Sequence, residues 1–408
     1  MKTGWESTTL GEVCNIVNGG TPKTSAPAYW GGPHQWVTPA EMGKRSTPYI
    51  SRTARTITDL GLQDSSARLL PPYSVILSSR APIGHLVINT EPMATNQGCK
   101  GLIPHHGVDH KFLYYYLGGI VELLNDLGTG ATFKELSGGK LKGVPLLLPS
   151  LPEQQRIVAI LDEAFEGIAT AKANAEKNLQ NARDLFDGSL AKLFAQPGEG
   201  WESKSVREWV AEGVLAKPQD GNHGEIHPTK ADFVDEGVPF VMAADLVAGD
   251  VDTVGCRFIT ESQAKSLRIG FAKSGDVLLS HKGTIGRVAI LETSEEYVIL
   301  TPQVTYYRPL KSERLIKDFL YFCLMSPGFQ SQMTEIADAG STRAYIGITK
   351  QLDLDLTLPP IEEQFALASK LGEIQDASVR LAAIYERKLV ALDELKKSLP
   401  HQAFAGQL

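Results

Sequence analysis

Side chains able to donate to a base edge or a phosphate recur on the polar, glycine-rich stretches of this 408-residue sequence. In the first half they are Thr21, Lys23, Arg80, Asn96, Gln97, Lys100 and Lys134. In the second half they are Lys217, Lys282, Thr284, Arg287, Gln303, Arg343 and Tyr345. Arginine and lysine suit guanine or a phosphate, and asparagine and glutamine suit adenine, so such a set on loops fits nucleic-acid recognition. Other chemistry finds little material. Cys14, Cys99, Cys256 and Cys323 form no CxxC pair, and His105-His106 with His110 has only Asp109 as a nearby acid, which favours solvated histidines over metal ligands. No GxxxxGK[ST] phosphate loop occurs, and no Pro-Asp opens a nuclease site. Leu70-Pro71-Pro72-Tyr73 has leucine where an amino-methylation motif needs an amide or an acid. The chain reads as non-catalytic, with no metal and no cofactor of its own.

What must position those side chains is a duplicated unit. Gly4-Trp5-Glu6-Ser7 returns as Gly200-Trp201-Glu202-Ser203. Further blocks follow in the same order with a drifting offset, as in a duplication that has acquired small insertions. Trp36-Val37-Thr38-Pro39-Ala40-Glu41-Met42 answers to Phe240-Val241-Met242-Ala243-Ala244-Asp245-Leu246. Val75 to Arg80 answers to Val277 to Lys282, and Ile83-Gly84-His85 to Ile285-Gly286-Arg287. Thr95-Asn96-Gln97 answers to Thr301-Pro302-Gln303, and Gly130-Ala131-Thr132 to Gly340-Ser341-Thr342. The run from Leu148-Pro149 to Gln154 matches that from Leu358-Pro359 to Gln364. Equivalent positions often differ, Arg80 against Lys282 and His85 against Arg287, as two different targets would require.

Each copy closes on a long helical pattern. Proline and acid at Pro152-Glu153 mark the first start, and the second helix begins near Pro359. Steps of four and three pick out Ile157, Leu161, Ala164, Ile168, Ala171, Ala175, Asn178, Ala182 and Leu185. At an offset of 210 they pick out Leu367, Leu371, Ile374, Ser378, Leu381, Tyr385, Lys388, Leu392 and Leu395. The heptad spacing predicts a coiled coil, with Asn178 and Lys388 as polar register-setting residues. The second domain lies between the helices, so if its termini are close the pair is antiparallel. About 40 residues then span roughly 60 Å. The expected division is residues 1–150, a helix over 151–196, a second domain over 197–358 and a helix over 359–408.

Strand patterns at Ser74–Ser78 and Asp276–Ser280 and amphipathic helices at Lys111–Leu117 and Lys317–Phe322 place both domains in the α+β class, as tandem α/β domains related by a pseudo-two-fold repeat. Trp30, Trp36 and Trp201 are expected to pack rather than to stack on bases. The formal charge of −7 resides in the second domain, while residues 1–150 carry +3. Since phosphate neutralisation supplies most sequence-independent affinity, partners must provide much of any grip on DNA. That balance also admits a second reading, a two-headed coiled-coil scaffold that binds proteins. A stand-alone enzyme would show activity in the isolated chain, and none is expected. No run of about 18 apolar residues spans a membrane and Met1-Lys2-Thr3-Gly4-Trp5 starts no signal peptide, which suggests a cytoplasmic protein.

These residues resemble the DNA specificity subunits of type I restriction-modification systems. The carriers are Asn18-Gly19-Gly20-Thr21-Pro22-Lys23, Tyr29-Trp30-Gly31-Gly32, Trp36-Val37-Thr38 and Ser79-Arg80-Ala81-Pro82-Ile83-Gly84. To these are added the Leu-Pro-x-x-x-x-Gln approach to each helix and the ending Ser398 to Leu408. The resemblance covers essentially the whole chain. It implies that each target recognition domain reads half of a split site on double-stranded DNA, while the helices set the gap. It implies docking of two adenine-methylating modification subunits and, in the restriction complex, of motor-nuclease subunits. S-adenosylmethionine, ATP and Mg then belong to those partners. The second domain departs from the pattern, with Lys217-Pro218-Gln219-Asp220-Gly221 roughly where the Gly-Gly-Thr-Pro-Lys turn is expected.

Overall fold

The computed structural model describes residues 4–130, 134–338 and 345–407. Two compact units emerge, one of residues up to 176 with 386–408, the other of residues 177–385.

In the first unit, strand Glu6–Thr9 pairs antiparallel with Pro145–Leu148, so the entry to the domain lies beside its exit. On the turn that follows, Thr9 N and Thr9 Oγ1 both donate to Glu12 Oε2. Five strands form the main sheet, in the order Cys14–Asn18, Cys99–Pro104, Val75–Ser79, Ile83–Asn89 and Tyr49–Ile50. A smaller sheet carries Thr56–Ile57, Trp30–Val37 and Met93–Thr95. Every residue of Val75–Ser79 is buried, because the helix His110–Gly119 lays Phe112, Leu113 and Leu117 over Val75, Leu77 and Leu102.

The second unit repeats the plan. Strand Glu202–Ser205 pairs with Asp355–Leu358, and Ser205 and Glu208 form a capping box at the matching place. Its two five-stranded sheets are centred on Thr284–Ile290 with Val277–Lys282, and on Val238–Val241 with Val298–Leu300. The helix Lys317–Met325 covers the core with Phe319, Leu320 and Phe322. One edge differs. The first copy's regular strand Cys14–Asn18 is replaced by isolated bridges at Leu215 and Gln219, with Pro218 between them, a residue that a sheet tolerates only at an edge.

Leu151–Ala195 and Ile361–Phe404 are single helices of 45 and 44 residues. Within the first unit the pairing runs antiparallel: Ile157 and Leu161 share a core with Ala403, while Lys172 Nζ meets Asp393 Oδ1 at 2.6 Å. Within the second, Ser378 Oγ donates to the Ala182 carbonyl, and Leu190 shares a core with Leu371. Burial in the first helix follows a strict heptad through Leu161, Ile168, Ala175 and Ala182. Asn178 is half-buried beside it, and Leu367 and Ile374 pack from the other helix onto the second core.

The expected seam needs correction at its ends. Leu185, Leu381 and Leu395 are 45%, 38% and 43% exposed, Lys388 is exposed, and Tyr385 and Leu392 are only half-buried. An α-helix drifts by about 20° per heptad against a perfect seven-residue repeat, which carries later seam positions outward. Beyond Ala182 the first helix therefore buries Phe186 and Leu190, steps of four, with the Phe186 ring 6.0 Å from that of Phe322.

The entry to each long helix is fixed by a fully buried glutamine. Gln154 Nε2 donates to the Gly107 and Pro149 carbonyls, and its Oε1 accepts from Asp109 N. Gln364 makes the same three bonds with Arg314, Pro359 and Ile316. Replacing Gln364 by leucine strands three backbone groups and should cost about 3 kcal/mol in urea unfolding. Leu371→Ala should cost about 2–5 kcal/mol, and Leu185→Ala less than about 0.5 kcal/mol. Equal losses at Leu185 and Leu371 would refute the corrected seam.

Candidate nucleic-acid interface

Both copies build their exposed loops on one hairpin. Strands Val75–Ser79 and Ile83–Asn89 slip register between Leu77 and Ser79, and Val277–Lys282 and Thr284–Ile290 slip between Leu279 and His281. The slip turns a serine hydroxyl back onto the returning strand: Ser78 Oγ accepts from His85 N at 2.7 Å, and Ser280 Oγ from Arg287 N at 2.9 Å. Glycine is needed just before, since Gly84 and Gly286 have φ of 110° and 87°. A Cβ on Gly286 would lie 2.1 Å from Gln330 Oε1.

At the hairpin tip the two copies share an address and differ in chemistry. Arg80 bridges to Glu135, with charged groups 4.0 Å apart, and Lys282 bridges to Tyr345, with Nζ 5.6 Å from the ring centre. The backbone beneath is identical: the Ser79 carbonyl accepts from Leu136 N and the His281 carbonyl from Ile346 N. Arg80 also stands beside the loop of Asn96 and Gln97, because Ser79 N donates to the Gly98 carbonyl.

The structure divides the expected contacts into groups. Lys23, Gln97, Lys134, Lys282, Thr284, Gln303 and Tyr345 are exposed, and Arg80 is half-buried. Thr21 Oγ1 donates to Gln97 Oε1, and Asn96 Oδ1 accepts from Gly98 N, so these groups shape the loop. Lys100 is buried in strand Cys99–Pro104, opposite Asn18 and Leu77. Arg287 Nη1 donates to the Ala243 carbonyl at 3.1 Å, just as His85 Nδ1 bonds the Pro39 carbonyl. Arg287 therefore anchors a turn. Arg343 lies outside the described residues.

Lys217 requires a correction. Gly20 N donates to the Thr95 carbonyl and Gly221 N to the Thr301 carbonyl, so Gly221 takes the place of Gly20. The counterpart of Thr21-Pro22-Lys23 is then Asn222-His223-Gly224. Lys217 sits ahead of it, between the bridges at Leu215 and Gln219. A five-residue insertion between Trp201 and Gly221, relative to Trp5 and Gly20, hid this from the sequence.

Sequence reading also missed a cluster around that loop. Asp220 and His281 are buried, His223 Nε2 lies 2.8 Å from Asp220 Oδ2, and His281 Nε2 lies 3.8 Å from the same oxygen. Burial pushes His281 below the ordinary imidazole value, against the pull of Asp220. The only sequence signal was the run Asp220-Gly221-Asn222-His223; His281 is about 60 residues distant.

Elsewhere the reactive groups are spent on packing. Trp36 is buried and donates to the Gly20 carbonyl, Trp30 packs against it, and Trp201 donates to Glu363 and packs on Phe194. His105 bonds the Glu12 carbonyl, while His110 lies against Tyr73. Among the described residues, no group of three or more His, Cys, Asp or Glu could hold a metal ion.

The description "Type I restriction modification DNA specificity domain" belongs to a family that matches residues 2–180. The Methanocaldococcus jannaschii type I restriction enzyme MjaIX specificity subunit is 28% identical over 380 residues, 87% of this chain and 83% of that protein. The Escherichia coli EcoR124I/EcoR124II specificity subunit is 31% identical over 192 residues, 44% of this chain and 47% of that protein. Two solved structures share the fold at 19% identity. The HsdS subunit from Thermoanaerobacter tengcongensis has a TM-score of 0.70, covering 100% of this chain and 98% of that one. A chain from work on complex assembly and conformational transition of the type I R-M system has a TM-score of 0.74, covering 100% and 99%.

Burial raises the thiols of Cys14, Cys99 and Cys323 to about 12 and that of Cys256 to about 11. Thiolate is the reactive form, so all four should resist Ellman's reagent at pH 8 in the folded chain and react on unfolding. Rapid labelling of any one of them in the native protein would contradict this placement.

Proposed function

The chain belongs to the type I restriction-modification DNA specificity family, and from that premise we propose how it reads DNA. Each domain recognises one half of a split site. The observation that carries this reading is the hairpin address that both copies keep by the same backbone bonds and fill differently, Arg80 with Glu135 in one and Lys282 with Tyr345 in the other. A conserved frame with exchanged donors is what two different half-sites require. The scaffold reading leaves that exchange without a purpose.

We assign base and phosphate contacts to Lys23, Arg80, Gln97 and Lys134 in the first domain, with Thr21 orienting Gln97. In the second they fall to Lys282, Thr284 and Gln303, with Tyr345 supporting Lys282. Asn96, Lys100 and Arg287 hold the frame. The functional division is residues 1–150 and 197–358 for recognition, with helices over 151–196 and 359–408 fixing the gap. The exposed apolar residues on those helices, Leu381, Val390 and Leu395 among them, offer a docking face for two methyltransferase subunits. Motor-nuclease subunits join in a restriction complex, and S-adenosylmethionine, ATP and Mg act in those partners. With a net charge of −7, the chain relies on them for much of its hold on the DNA backbone.

A genome-wide map of methylated adenines, in cells with and without this chain beside its modification subunit, should reveal a chain-dependent motif of two short halves around a fixed gap. Absence of such methylation, with both proteins folded and co-purifying, would overturn the reading. Exchanging residues 1–150 for another such domain should change one half only. Inserting a heptad at matching places in both helices adds about 10 Å of helix and should widen the gap with both halves intact. In a DNA titration with the assembled complex, Lys282→Met should weaken binding and reduce the slope of log affinity against log salt by about one.

A further inference from the structure

A cavity of about 280 Å³ opens beneath the second domain's loop, lined by His223, His227, Phe240, Lys282, Thr301 and Gln303 among others. Thr301 is only 4% exposed, and its Oγ1 and His227 Nδ1 are buried without a hydrogen-bond partner. Buried polar atoms are rarely left so unless a water, an ion or a ligand group completes them. Resting on the DNA-reading role above, we propose that this cavity seats one phosphodiester group of the DNA backbone, held by Lys282, His227, Thr301 and Gln303.

The occupant follows from shape and charge. A base edge within a duplex lies at the floor of a groove and does not enter a concave pocket, whereas phosphates stand out along the strand. Each polar group named can donate a hydrogen bond, an imidazole from one nitrogen when neutral and from both when protonated. Asp220 is buried beside them and held by His223 at 2.8 Å, with His281 on its other side. His281 in turn donates from Nδ1 to the Ile346 carbonyl and lies 5.7 Å, ring to ring, from Tyr345. Lys282 brings a positive charge to the cavity mouth within an acidic domain. The Phe240 ring, 5.7 Å from that of His227, forms an apolar wall that lowers the local dielectric and strengthens attraction to an anion. In the first copy Pro22 stands where His223 stands here, and Thr21 is bonded to Gln97. The seat is a property of the second domain.

Burial, then the charges of His223 and Lys282, push His227 below the ordinary imidazole value. An anion beside it raises that value, so binding takes up a proton. The added affinity is complete below the pKa of the free chain and disappears as pH rises through that of the complex.

The test uses the complete complex with its methyltransferase subunits and duplexes bearing its motif, each with a single neutral methylphosphonate. At one position in the second half-site the substitution should weaken the wild type about tenfold near pH 6.5, and should cost His227→Gln and Thr301→Val complexes less than about twofold. Wild-type affinity should rise between pH 8 and pH 6, and His227→Gln should flatten that rise while leaving thermal unfolding unchanged. If specific binding persists but no second half-site position couples to either variant, the seat is refuted and the DNA-reading role stands. If the wild-type complex shows no sequence-specific binding, the role itself fails. Protection of His227 by inorganic phosphate without methylphosphonate coupling would mark a small-anion site and overturn the assignment to DNA.

Discussion

A glutamine amide carries one carbonyl oxygen and two N–H donors. Gln154 and Gln364 each spend that capacity on three backbone groups in a dry interior. The bonds join the turn before the covering helix, the proline that ends the exit strand and the first turn of the long helix. Removing any partner leaves the others buried and unpaired, which makes the junction stiff as well as stable. The direction in which each helix leaves its domain is set there. The strand pairs Glu6–Thr9 with Pro145–Leu148 and Glu202–Ser205 with Asp355–Leu358 complete the junction by closing each domain on itself. Loops on the far side can then vary in sequence without disturbing what holds the helices.

Much of this frame was legible in the chain because its devices are local and tied to backbone. Gly-Trp-Glu-Ser, the serine of the hairpin slip, the glycine that follows it and the buried glutamine each fix a conformation within a few residues, and both copies retain them. The helices were legible through their heptads. The ends of the seam were not, because a regular pattern conceals the slow rotation that exchanges Leu185 for Phe186, and the gain comes from Phe322, far along the sequence. The proposed site was legible only in part. Arg80 and Lys282 stand out by residue type. Their partners Glu135 and Tyr345 are more than 50 residues distant, and no spacing rule connects them. An insertion misplaced Lys217, and Asp220 with His281 meet only through the fold.

Net charge proved a poor guide to local potential. The second domain is the acidic part of the chain, yet its loop gathers Lys282 with three histidines and holds Asp220 in the interior. Much of the acidity elsewhere is locally engaged, as Glu292 is with Lys317 and Asp276 with Arg308. Charge that is already paired contributes little at a Debye length, and the unpaired remainder decides what a surface attracts.

Ala403 belongs to the same core as Phe112 and Leu161. A ribosome therefore releases the first domain well before it has made all the residues that complete that core, roughly 240 positions later. At 5–20 residues per second the delay is about 10–50 s. Through that interval the apolar face prepared for Ala403 and Phe404 is open to water, and the nascent chain carries an unfinished half that only its own distant segment fits. Synthesis rate, and whatever shields that face meanwhile, thus become part of how this protein reaches its native state.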